Sequence, residues 1–189
     1  MKKETLLQRS DNAGFSVVET GIAALVICVI AGFAVLTIPG IMPGINANTC
    51  LNQTVAQLRS GRELAIAQRR SIELRFVGND QVELVRFDVP AGRTVLSTIM
   101  LEGDMQFLVF GGIPDTPDAF GNGTAVAFGG PAPFMFLSDG ALVDAQGNPI
   151  NGSVFLGLID HPETARAVTI LGATGRVRGY RWSGTSWIH

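Results

Sequence analysis

From Thr20 to Leu58 the chain carries no Asp, Glu, Lys or Arg, and residues 22–38 are nearly all Ala, Val, Ile, Leu and Phe. A run this apolar must be covered, by protein or by lipid. Taken as a helix from Phe15 to Ile38 it is about 36 Å long at ~1.5 Å per residue, against about 30 Å of bilayer hydrocarbon, so it is long enough to span. One acid, Glu19, stands at its start. A carboxylate beside hydrocarbon is costly and is usually kept because it has a partner.

Other features narrow the choice of segment. A secretory signal peptide has a basic start and an apolar core, as here, but ends in a small-x-small cleavage site. This chain continues Pro39-Gly40-Ile41-Met42-Pro43-Gly44-Ile45 instead. A lipoprotein signal needs a small residue just before its cysteine, and Val26-Ile27-Cys28 has none. A plain anchor fits the length but leaves Glu19 unexplained. Residues 1–14 hold Lys2, Lys3 and Arg9 against Glu4 and Asp11.

Gly14-Phe15-Ser16-Val17-Val18-Glu19 resembles the processing site of type IV pilins and type II secretion pseudopilins. The resemblance implies a leader over residues 1–14, a cut by prepilin peptidase after Gly14, and N-methylation of the new terminus at Phe15. It also implies a role for Glu19 as an assembly contact that pairs with the N-terminal amine of a neighbouring subunit. In a low dielectric such a pair offsets the desolvation of both charges. The leader is longer than many in that family, and Thr20 follows the acid where an apolar residue is commoner.

The repeat at residues 39–45 places two prolines and two glycines in what would be helix, and predicts a kink or a melted segment there. Beyond it, Leu51, Val55 and Leu58, with Ala65 and Ile66, recur at three-to-four spacing and predict a helix packed on a sheet. Cys28 and Cys50 would lie about 33 Å apart on one helix, too far for a disulfide. Both read as small apolar residues.

After Ser71 the pattern turns to β. Runs at 71–77 and 81–89 flank the turn Gly78-Asn79-Asp80, a hairpin signal. Further strands are expected at 94–101, 105–110, 125–128, 134–137, 153–159, 167–171 and 176–182. The long connection 111–124 is the expected flexible or partner-facing loop. An apolar strand, the turn Asp139-Gly140, and late strands closing on Thr174-Gly175-Arg176 resemble the GspH/FimT pseudopilins. The expected architecture is α+β and pilin-like. Residues 15–45 form a membrane and filament helix ending in the Pro-Gly break, and 46–189 form an antiparallel β-rich periplasmic domain with the second half of the helix packed on it.

No catalytic constellation appears: His161 and His189 have no nucleophile and orienting acid in a triad pattern, and there is no G-x-S-x-G elbow. No cofactor is expected. Asp115 and Asp118, or Asp139 and Asp144, are carboxylates of the kind that bind calcium, but all four are ordinary turn residues and no metal is assigned.

Charge is unevenly spread, with eight acids and no Lys or Arg from Thr94 to Ala165, then four arginines and no acid from Arg166 onward. If 176–182 is a strand, Arg176, Arg178 and Tyr180 share a face. Arginines beside an aromatic suit a nucleic-acid contact. Gly175-Arg176-Val177-Arg178 also resembles the Gly-Arg-x-Arg motif of FimT-type minor pilins, which implies DNA binding by Arg176 and Arg178, with Arg181 as an added candidate. The competing reading makes these arginines ion-pair or subunit contacts.

The sequence therefore leads to a single-pass protein of a bacterial inner membrane, a minor pseudopilin of a type II secretion pseudopilus, with other pilins or pseudopilins, the peptidase and secreted cargo as partners. The alternative is a FimT-like minor pilin that binds DNA or primes pilus assembly.

Overall fold

The computed structural model describes residues 16–88 and 90–189, with the side chains of residues 34–40 outside that description. Helix α1 (Val17–Gln68) begins at a polar cap. Ser16 Oγ accepts the Val18 amide at 3.3 Å, meeting one otherwise unsatisfied donor, and the Ser16 carbonyl accepts the Thr20 amide at 3.0 Å as the first helical bond. Glu19 lies in this first turn, where the helix dipole favours a negative charge. Gly14 and Phe15 lie outside the described residues. Among the described residues no helix is long and apolar enough to cross a membrane; the side chains of 34–40, within the stretch expected to span, are not among them.

The backbone stays helical through residues 39–45, where the sequence predicts a break. Each proline deletes one i→i−4 bond, but its ring holds φ at a helical value, so the helical path survives. At the other end Arg69 takes a left-handed φ of 52°. The amides of Arg69 and Arg70 return to the carbonyls of Ile66 and Ala65, closing the last turn.

The chain divides into two units, Met1–Gly40 and Ile41–His189. In the first, the described side chains of α1 up to Phe33 are exposed, Cys28 included. The second contains α1 from Ile41 onward and two antiparallel sheets. One sheet has the order β3 (Arg93–Met100), β2 (Gln81–Phe87), β1 (Ile72–Val77), β6 (Phe134–Phe136), β7 (Leu142–Val143). The other runs β11 (Trp187–Ile188), β10 (Arg176–Trp182), β9 (His161–Leu171), β8 (Gly152–Leu158), β4 (Gln106–Phe107), with β5 (Val126–Phe128) also on β8.

The second half of α1 lies against both sheets. Its buried residues are Ala47, Cys50, Thr54, Gln57, Leu58, Gly61 and Ala65, a stripe of helical period in which small side chains predominate. Leu51 and Val55 are only partly buried, and Ile66 is 40% exposed, so the expected stripe is rotated toward smaller residues. Small residues let the helix axis come close. A Cβ on Gly61 would sit 2.8 Å from Leu84 Cδ2 and within 3.5 Å of Phe136 and Leu74 of the first sheet. On the other side Leu51 and Val55 pack over Gly179 of β10. Leu58, Ile72, Leu74, Leu84, Phe136, Leu156 and Ile170 form the centre of the core.

Leu58 is fully buried among both sheets' inner faces. Leu58→Ala is expected to lower stability by about 2–5 kcal/mol through lost transfer energy and the cavity left behind. Urea unfolding followed through Trp182 and Trp187 checks this, and a loss below ~1 kcal/mol would mean the helix is not seated as described.

Candidate functional site

Strand β10 sends alternate side chains to opposite faces of its sheet. Val177 and Gly179 lie on the face toward α1, and Arg181 shares their register. Arg178 and Tyr180 lie on the outer face, which residues 111–124 cross as a strap.

Asp118 fixes that strap. Its carboxylate accepts Thr169 Oγ1 at 2.6 Å, the Tyr180 hydroxyl at 2.9 Å and Arg178 Nη1 at 3.0 Å. Thr169 is the cross-strand partner of Arg178, so two neighbouring strands present three donors to one acid. Burial pushes the Asp118 carboxyl upward, but the hydrogen bonds from Thr169 and Tyr180 and the Arg178 charge outweigh it and hold it below the ordinary carboxylate range. Burial, then the Asp118 hydrogen bond, pushes the Tyr180 hydroxyl up. The strap is held again by Trp187 Nε1, which donates to the Pro114 carbonyl at 2.8 Å, and by Asp115, which accepts the amides of Thr116 and Gly121. Beneath it lies a cavity of about 120 Å³ bounded by Leu108, Phe110, Ile113, Phe155 and Trp187.

Arg178 is thus neutralised by an acid sixty residues away in sequence. Arg176 is exposed at the first position of β10, directly after the Thr174-Gly175 turn. It lines a surface depression with Arg59, Arg62 and Glu63 of α1. The turn explains the grouping. Gly175 has a φ of 61°, and Arg62 donates from Nε to the Thr174 carbonyl at 2.9 Å. A Cβ on Gly175 would lie 2.8 Å from Arg62 Cδ and collide with the Gly140 carbonyl. Arg59 Nη2 donates to the Val177 carbonyl at 3.2 Å.

Arg181 stands opposite Arg166 of β9 in cross-strand register. Arg166 is 3% exposed. Its donors go to neutral acceptors: Nε to Asn48 Oδ1 at 3.0 Å, Nη1 to the carbonyls of Ala165 at 2.8 Å and Glu163 at 3.1 Å. Burial, then the Arg181 charge, pulls the Arg166 guanidinium down to about 10.

The arginines therefore fall into two groups. Arg70, Arg75, Arg86, Arg93 and Arg178 lie within 3.9 Å of carboxylates. Arg59, Arg62, Arg166, Arg176 and Arg181, on α1 and along β9 and β10, and Arg69 just past the end of α1, have no ion pair among the described residues. The expected trio of Arg176, Arg178 and Arg181 is split three ways, one in a shared depression, one latched to the strap, one on the helix side. Arg59 and Arg62 are not among the expected binding residues; their i, i+3 spacing on one helix face is the signal the sequence offers.

The carboxylates considered for a metal have other duties. Asp139 accepts the Ala141 amide, Asp144 accepts the amides of Gln146 and Asn148, and Asp115 and Asp118 hold the strap. No group of three or more metal-ligating side chains occurs among the described residues.

No family model matches the chain, and no curated protein does. The minor pseudopilin EpsH from the type 2 secretion system of Vibrio cholerae is similar in structure, with a TM-score of 0.50 over 72% of this chain and 97% of that one at 15% identity. The chain has a pilin-like fold. The type IV minor pilin FimU of Pseudomonas aeruginosa aligns at a TM-score of 0.47, over 75% of this chain and 92% of that one, with 10% identity. The α+β architecture and the resemblance stated from sequence agree with this fold.

Asp118→Ala is expected to cost about 2 kcal/mol, because Arg178, Tyr180 and Thr169 lose a charged acceptor. The Asp118 carboxyl is lowered in the fold, so its contribution is complete above the unfolded value near 4 and is lost as pH falls through the folded value. The variant should therefore show a flatter acid limb in a stability–pH profile. An acid limb parallel to the wild type would remove the latch.

Proposed function

We propose that this chain is a structural subunit of a pseudopilus, built into a short filament of a type II secretion system that moves proteins out of the cell. The observation that carries the reading is a capped helix with Glu19 in its first turn, leading into a domain of pilin-like fold. The apolar stretch holds the precursor in the inner membrane as a single span, with the domain on the periplasmic side. Prepilin peptidase cuts after Gly14, Phe15 becomes the methylated terminus, and Glu19 pairs with the terminal amine of an adjacent pilin or pseudopilin. The domain then presents its surface to sister subunits and to secreted cargo. The work is assembly, without catalysis and without a cofactor.

In a host with an active prepilin peptidase the chain should lose residues 1–14 and gain one methyl group, read by intact mass. Gly14→Val should stay full length. Glu19→Ala should be cut yet fail to enter filaments. A wild-type chain that keeps its leader beside a functioning peptidase would sink the reading.

A second reading has one observation of its own, the depression shared by Arg59, Arg62 and Arg176. It is an assembly site for phosphates of the kind a DNA-binding minor pilin needs. DNA affinity should fall steeply with salt, and each of Arg59→Ala, Arg62→Ala and Arg176→Ala should reduce the salt slope by about 1. Slopes unchanged across the three variants would remove DNA from consideration at this site.

A further inference from the structure

At the level of residues 46–52, α1 has unlike surroundings on its two flanks. Asn46 and Asn48 are two residues, and about 200°, apart around the helix. On one flank Asn48 accepts from Arg166, and a notch of about 310 Å³ is lined by Asn48, Leu51, Asn52, Arg181 and Ile188. On the other flank Asn46 packs against Gly103, and Cys50 Sγ donates to the Glu102 carbonyl at 3.5 Å. There Asp80 and Asp104 line a groove of about 550 Å³ with Met100 and Ile159.

The notch is electrostatically incomplete. Two guanidiniums face each other across a strand pair, an arrangement that repels. Arg166 is withdrawn from water, and it donates to an amide and two carbonyls, none of which carries charge. A buried cation beside a second cation is held at a cost that an anion would relieve. Among the described residues none supplies one within 4.0 Å of either arginine. On the opposite flank Glu102, Asp104 and Asp160 are exposed and, with Asp80, have no ion-pair partner among the described residues.

We propose that the notch at Arg181, with Arg166 buried behind Asn48, receives a carboxylate from the Glu102–Asp104 loop of a second copy of this chain. The inference rests on reading the chain as a filament subunit and adds which surfaces meet. Charge complementarity selects this occupant, and the apolar margins agree: exposed Ile188 beside the notch, exposed Met100 and Ile159 beside the acids. Because the two surfaces differ and lie on opposite flanks of one helix, the contact is heterologous. Such a contact repeats without closing unless its rotation forms a ring, as a filament requires. A nucleic-acid strand is the competing occupant, but the notch is a single station walled by Leu51 and Ile188, whereas a strand tracks along several phosphates.

The test is self-association of the full chain in detergent micelles, by sedimentation velocity across a salt series. Arg181→Glu and the double variant Glu102→Arg/Asp104→Arg should each weaken association by about tenfold at low salt. An equal mixture of the two variants should recover most of it, since each then meets an opposite charge on both flanks. Far-UV and near-UV spectra confirm that each variant is folded. Arg181→Glu associating like wild type overturns the proposal, as does a folded wild-type chain that stays monomeric at low salt. Loss in both variants without recovery in the mixture also overturns it, and points to an anion from elsewhere, DNA phosphate included. Association that depends on Glu19 but not on Arg181 would leave the filament-subunit reading standing and remove the notch alone.

Discussion

Everything in the Ile41–His189 unit depends on how closely one helix can approach two sheets. The buried line of Ala47, Cys50, Thr54, Leu58, Gly61 and Ala65 is mostly small, so the backbone of α1 comes near the sheet surfaces and single large residues such as Leu58 and Phe136 fill what remains. Polar side chains along the helix edges then reach sheet backbone. Gln57 donates to the Val82 carbonyl on one side, while Arg59 and Arg62 reach Val177 and Thr174 on the other. A bulkier stripe would lift the helix out of range of those partners. The glycine-containing turn at Gly175 and the arginine depression beside it are consequences of that close seat.

The outer face of the second sheet is organised by charge. Asp118 collects three donors from β9 and β10 and ties the strap over Phe155 and Trp187. This consumes Arg178, while the arginines facing α1 keep their charge uncompensated. One sheet therefore presents a neutralised side and a cationic side, a division made by the alternation of a single strand.

Much of this was legible from residue order. The hairpin around Gly78-Asn79-Asp80 has a Gly at a φ of 62°, where a turn signal is local and strong. Strand β10 matches its expected bounds because it holds no proline and is bracketed by the positive-φ turn glycines Gly175 and Gly184. Strand β9 begins at His161, well before the expected Ala167, because Thr164 and Arg166 are polar yet buried and satisfied by partners that residue type does not announce. The two-residue strands β7 and β11 have no period to detect. The continuous helix through Pro39 and Pro43 shows that two lost backbone bonds do not dictate a break. Least legible were the charge pairings, since Asp118 and Arg178, or Asn48 and Arg166, are joined only by the fold.

The seat of α1 also has a mechanical meaning. From Asn46 to Gln68 the helix is gripped at many levels, by Gly103, Glu102, Val82, Val177, Thr174 and Arg86 in turn. Tension entering along the helix axis at Ile41 loads these contacts side by side, in shear, so that no single one can peel away ahead of the rest. A pull across the axis would instead open them one after another from an end. The domain is therefore built to resist a tug in the direction of its own helix far better than one at right angles to it.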